Sequence, residues 1–157
     1  MERKIVIALL VLTSVAAGLN AGFFYTWSFT IMQSLNLAGE VTATESMNAI
    51  NANIRNAWFG AIFFGAPALI AISLVAAWLK FRNALWWVLP AFIFAVLTLV
   101  ITFSQHIPLN NELAGGLMWS QYYPDWVTWN HARMCTSVLS FVFMLLAALS
   151  YASAVKR

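Results

Sequence analysis

The residues of this 157-residue chain that could do chemistry fall into a few short stretches. In "MNAINANIR", Asn48, Asn51 and Arg55 recur at i, i+3 and i+7, one stripe of a helix. "FSQHIPLNNEL" carries His106 and Asn110, and "DWVTWNHAR" sets Trp126, Trp129, Asn130 and Arg133 on one helical face with His131 on the next. "GLNAGFFYTWS" adds Asn20, Tyr25 and Ser28. Acid–base chemistry suits this set. A histidine takes a proton at neutral pH, arginine and asparagine hold the resulting anion, and tryptophans supply flat walls.

Other chemistries are less well served. Metal sites generally need three or four ligands, and neither histidine lies in a pattern such as HxxxH, so His106 and His131 as copper or iron ligands are an alternative. That alternative requires the two imidazoles to come within about 4–5 Å of each other. There is no GxSxG elbow for a serine hydrolase and no glycine-rich strand–helix unit for a nucleotide. Cys135, the lone cysteine, lies in an apolar run and reads as a packing residue.

The elements that must position these residues are membrane helices. The chain is 62% hydrophobic and 8% charged, against the quarter charged of a soluble domain. Four apolar stretches, about 5–32, 57–79, 84–105 and 132–154, each suffice to cross about 30 Å of hydrocarbon. The expected fold is an all-α integral membrane four-helix bundle in a single domain, 1–157. "MERKIVIALLVL" begins like a signal peptide, but its apolar run continues to Met32, so it reads as a retained first span. Gly18 and Gly22 form a ridge that lets another helix approach.

Arg3, Lys4, Lys80, Arg82, Lys156 and Arg157 flank the two ends and the second connection. Glu40, Glu45, Glu112 and Asp125 occupy the other two connections, with only Arg55 and Arg133 as cations. The positive-inside bias makes both termini cytoplasmic, in a bacterial inner membrane, and turns the polar stretches to the outer face. Thr42, with Glu45 three residues on, predicts the N-cap of a short outer helix. Pro108 predicts that the third helix stops near His106, leaving 109–123 as a polar, aromatic outer loop. Pro124 suits the first turn of the fourth helix. The net charge of +3 reflects this sorting and gives no reason to expect nucleic acid as a partner.

"MNAIN" (47–51), "PLNNEL" (108–113), "WxxWNHAR" (126–133) and "GLNAGFFYTWSFTIM" together resemble the anthrone oxygenase-like membrane proteins, a family long grouped as a domain of unknown function. Gln33 stands where the family often has a proline after the methionine of helix one. The resemblance implies a membrane oxidoreductase that uses O₂ to oxidise an aromatic, polyketide-like substrate drawn from the lipid phase. It further implies His131 as the base, with His106 as the alternative. Arg133 and Asn130 would hold the enolate oxygen, and Asn51 and Asn110 would complete the cradle. Asn20, Asn48, Tyr25, Trp126 and Trp129 are further substrate-binding candidates. No cofactor is favoured. Two readings compete: a non-catalytic accessory or lipid- and quinone-binding subunit of a homo-oligomer or larger membrane complex, and the histidine-ligated metal oxidase.

Overall fold

A computed structural model describes residues 3–154; Lys156 and Arg157, counted above among the inner cations, lie outside the described residues. The structure is all-helical, with no strand among the described residues. Four helices are long and apolar enough to cross a membrane: α1 (Arg3–Leu37), α3 (Ala57–Lys80), α4 (Arg82–Ala114) and α5 (Trp119–Ala154). The short α2 (Glu40–Asn53) lies between the first two. The long helices form a ring in which α5 packs on α1 and α4, and α3 closes the other side against both.

The seam of α5 explains its central place. Its buried positions are 119, 122, 126, 130, 133, 137, 140, 144 and 147, in steps of three and four. That spacing keeps one stripe facing the neighbouring helices along the whole helix. Large apolar side chains such as Leu12, Val15, Leu19 and Trp86 point outward, as a lipid-facing surface requires. Cys135 is also exposed rather than packed. Of the Gly18/Gly22 ridge, Gly18 is the close approach: a Cβ there would meet the Phe141 ring of α5 at 3.2 Å. Gly22 faces open space.

One apolar core, around Leu10, Ile70, Val88 and Met144, fills the end that holds the 82–84 turn. A second, around Met32, Met47, Leu113, Trp119 and Tyr122, fills the opposite end, where α2 lies across the bundle. Hydroxyl contacts also stitch the helices within the first core. Thr13 Oγ1 and Ser73 Oγ are 3.1 Å apart, and Ser140 donates to the Ala91 carbonyl at 2.9 Å. Within hydrocarbon, such pairs are the alternative to unsatisfied polar groups.

Several expected boundaries move. The short helix begins at Glu40 rather than at a Thr42 cap, because Gly39 takes a φ of 89° and turns the chain sharply out of α1. Helix α4 does not stop near His106. Its turn Thr102–His106 widens to a π-helix, with the Ile107 N–H bonding to the Thr102 carbonyl, and the helix runs on through Pro108 to Ala114. The segment 109–123 is therefore mostly helix. Its only turn is a Schellman-type stop, with Leu117 N–H bonding to Glu112 O, Gly116 N–H to Leu113 O, and Gly116 at φ 103°.

Helix α5 starts at Trp119, so Pro124 lies inside it. The missing N–H orphans only the Ser120 carbonyl, on an exposed turn near the helix start. Glu40 Oε1 accepts from the Trp119 backbone N–H and Asn36 Oδ1 from the Trp119 indole, which pins the start of α5 to the α1–α2 corner.

Candidate active site

The end of the bundle crossed by α2 encloses a cavity of about 680 Å³. Drug-sized ligands occupy pockets of about 300–1,000 Å³. Helix α1 contributes Phe23, Phe24 and Trp27, and α3 contributes Phe59, Gly60, Phe63 and Phe64. From α4 come Thr102, Phe103, His106, Ile107, Asn110 and Asn111, and from α5 Trp126 and Arg133. Helix α2 and the link after it present Met47, Ile50, Asn51, Ile54 and Arg55 as one stripe. The polar stripe expected on α2 thus divides: Asn51 and Arg55 line the cavity beside Met47, Ile50 and Ile54, and Asn48 falls outside it.

Two π-helical turns border this cavity: Thr102–His106 in α4 and Trp27–Ile31 in α1. Each inserts an extra residue into a turn, which rotates the side chains that follow by about 100°. Such turns recur at functional sites. Here they carry Thr102, Phe103, His106 and Trp27 on the wall and Ser28 just behind it.

Arg133 is the deep charge. It is 6% exposed, and its hydrogen bonds run to Asn130 Oδ1 at 2.6 Å and, at the long limit, to Thr102 Oγ1 at 3.4 Å. Its Nε has no hydrogen-bond partner. The guanidinium lies over the Phe24 ring at 4.4 Å and near the Trp126 ring at 5.4 Å, where cation–π attraction offsets part of its desolvation. Neutral partners and ring faces leave the cation electrostatically uncompensated.

Asn130 stands behind Arg133 and not in the cavity wall. Its amide donates to Ser28 Oγ at 2.8 Å and the Phe24 carbonyl at 3.2 Å, and its oxygen takes the Arg133 bond. With both N–H groups and the oxygen engaged, it holds Arg133 rather than substrate.

A second polar chain adjoins the first through Trp126. Asn110 Oδ1 accepts from the Tyr122 hydroxyl at 2.7 Å and the Trp126 indole at 3.1 Å. Asn110 Nδ2 in turn donates to Asn51 Oδ1 at 3.0 Å. Asn51 is among the residues that line the cavity, and its Nδ2 is buried without a hydrogen-bond partner.

The two histidines part company. His106 is 1% exposed, lines the cavity, and meets the Trp126 ring edge-on at 4.9 Å between centroids, with neither ring nitrogen hydrogen-bonded. His131 is half-buried outside the cavity, stacked on Phe29 at 5.5 Å. Asn51, Asn110, Trp126, Arg133 and His106 are thus brought together. Trp129 and Tyr25 are exposed, the latter against Phe29, and Asn20 and Asn48 lie outside the cavity.

Among the described residues no group of three or more His, Cys, Asp or Glu lies together. With His106 on Trp126 and His131 on Phe29, the donor set does not fit a histidine-ligated copper or iron centre.

The largest group among the cavity residues that sequence reasoning missed is the phenylalanines: Phe23, Phe24, Phe59, Phe63, Phe64 and Phe103. An apolar side chain in an apolar helix carries no mark that separates cavity wall from lipid face. Thr102 and Asn111 are polar and carried a signal, Thr102 as a hydroxyl one helical turn from His106 and Asn111 as the neighbour of Asn110.

A sequence model for the family described as anthrone oxygenase matches residues 55–143. This stretch runs from Arg55 through α3 and α4 into α5, and includes His106, Asn110, Trp126 and Arg133. No curated protein and no solved structure matches the chain.

Proposed function

The chain belongs to the anthrone oxygenase family, and from that premise we propose that it oxidises a tricyclic aromatic ketone at its benzylic methylene, using O₂, in the cavity between α2 and the bundle. The observation that carries the reading is the pairing of His106, with both nitrogens unpartnered, and the uncompensated Arg133 on one aromatic-walled cavity of suitable size.

In this mechanism His106 removes a methylene proton, and the charge spreads onto the ketone oxygen. Arg133 and the Asn51 amide hold that oxygen as it becomes an enolate. The enolate passes one electron to O₂, and the substrate radical couples with superoxide to give a peroxide on the former methylene carbon. Histidinium returns the proton to the peroxide. Loss of the second hydrogen from that carbon then breaks the O–O bond, leaving a second ketone and expelling hydroxide, which takes up the proton to become water. One oxygen atom of O₂ enters the product and the other leaves in water. The aromatic wall keeps bulk water from the enolate.

The base proposed here is His106 rather than His131, because only His106 borders the cavity. Asn130 becomes a positioning residue for Arg133. Arg3, Lys4, Lys80 and Arg82 cluster at the opposite end, so the positive-inside bias supports the outer face for the cavity. Substrate would come from the lipid phase, past the exposed Phe64 and Phe103 at the cavity edge.

The test uses the protein in phosphatidylcholine nanodiscs with anthrone as substrate, following O₂ uptake and anthraquinone absorbance. Wild type should turn over above protein-free discs. His106→Gln should lose about a hundredfold or more, the contribution of a general base, while His131→Gln stays near wild type. No oxidation above background sinks the activity, and an unimpaired His106→Gln sinks the assignment of the base.

A further inference from the structure

Arg55 and Arg133 are the two cations that break the charge sorting of this chain. The other described cations, Arg3, Lys4, Lys80 and Arg82, cluster at the opposite end of the bundle. Both exceptions line the same cavity. Arg133 is buried in its depth and Arg55 is exposed at its rim, where Asn111 is exposed beside the opening. No aspartate or glutamate is among the residues that line it. The nearby Asn56 is otherwise engaged: its oxygen caps α3 by accepting from the Phe59 N–H, and its amide donates to the Asn53 carbonyl.

A neutral tricyclic ketone needs one cation, at the oxygen that becomes the enolate, and Arg133 supplies it. Arg55 is then left as a second positive pole, exposed at the rim where the first is buried. A concave, apolar-walled site with charge of one sign focuses its field on ligands of the other sign. The planar guanidinium fork matches a carboxylate with two parallel hydrogen bonds.

We propose that the ligand is an aromatic acid: a tricycle with a carboxylate at the end remote from the reacting ketone, held at the cavity rim by Arg55. This inference rests on the tricycle reading above and adds the acidic group and its partner. Arg55 is the specificity-determining residue. The acid anchors the ligand at the rim and so sets which carbon reaches His106.

The test measures binding of two redox-inert probes, anthraquinone-2-carboxylate and its neutral amide, anthraquinone-2-carboxamide, by quenching of tryptophan fluorescence in phosphatidylcholine nanodiscs. The carboxylate should bind about tenfold tighter than the amide, the gain expected of a charge-assisted pair at a cavity mouth. Arg55→Gln should remove that difference by weakening the carboxylate alone, and Arg55→Lys should keep part of it. Arg82→Gln, at the far end of the bundle, should leave it intact. Equal binding of the two probes to wild type, or a preference that survives Arg55→Gln, overturns the acid proposal and leaves the tricycle reading standing. Failure of both probes to bind overturns the tricycle reading and the acid proposal with it.

Discussion

Asn130 accepts from Arg133 Nη2 at 2.6 Å and donates both amide hydrogens to α1, at Phe24 O and Ser28 Oγ. One side chain thereby ties the buried cation of α5 to the π-helical turn of α1. Replacing it with leucine keeps the volume but leaves a carbonyl, a hydroxyl and a guanidinium N–H without their partner. Membrane hydrogen bonds average about 0.6 kcal/mol, and buried groups left unpaired cost more, so Asn130→Leu should destabilise by about 2–3 kcal/mol. Thermal unfolding in detergent reads this directly. A wild-type midpoint would mean that Asn130 does not bear on the packing of α5 against α1.

Asn110 is the hub of the second chain, taking Tyr122 and Trp126 on one oxygen and passing its amide to Asn51. Tyr122→Phe removes one of the two donors and should cost about 1 kcal/mol, the worth of a single hydrogen bond. Asn110→Leu strands the tyrosine hydroxyl, the indole and the Asn51 oxygen together, and should cost more. In the double variant the tyrosine loss should largely vanish, since the substituted ring has no hydroxyl to strand. Additive losses in a double-mutant cycle would contradict the shared acceptor.

The limits of what the sequence discloses are visible in the histidines. Four spans, the short helix after the first and the polar end of the bundle follow from composition and period alone. The period of α5 likewise set Trp126, Trp129, Asn130 and Arg133 on one face; Trp126, Asn130 and Arg133 are buried together, whereas Trp129 is exposed. His106 and His131 could not be ranked this way. A π-helical turn at 102–106 breaks the 3.6-residue register on which helical-wheel reasoning depends, so the side that His106 faces is a tertiary result. Pro108 misled for a related reason. Its missing N–H and the widened turn before it are accommodated together, so the helix passes through a residue that ordinarily ends one. Asn20 carried the opposite ambiguity: its polarity marked it as buried, but nothing in the chain said against which wall.

Arg133→Lys tests whether the deep charge alone suffices. An ammonium keeps the charge but lacks the fork that reaches Asn130 and Thr102 while lying over the Phe24 ring. The expected outcome is about a tenfold or greater loss in binding of anthraquinone-2-carboxamide, by removal of a charge-assisted contact to its ketone, with the protein still folded. Undiminished amide binding in a folded Arg133→Lys protein would mean that charge without guanidinium geometry is enough.

The two glycines of the α1 ridge give opposite predictions. At Gly18 an added Cβ meets the Phe141 ring at 3.2 Å, so Gly18→Val should force α1 and α5 apart and cost about 1–3 kcal/mol. At Gly22 nothing lies within 4 Å, and Gly22→Ala should be neutral or stabilising by up to about 1 kcal/mol, through the lower chain entropy of alanine in a helix. Unfolding midpoints of the two variants decide the matter. A loss at Gly22 as large as that at Gly18 would show that the open face of α1 is covered in the folded protein, and size-exclusion chromatography with light scattering would then show whether a second copy covers it.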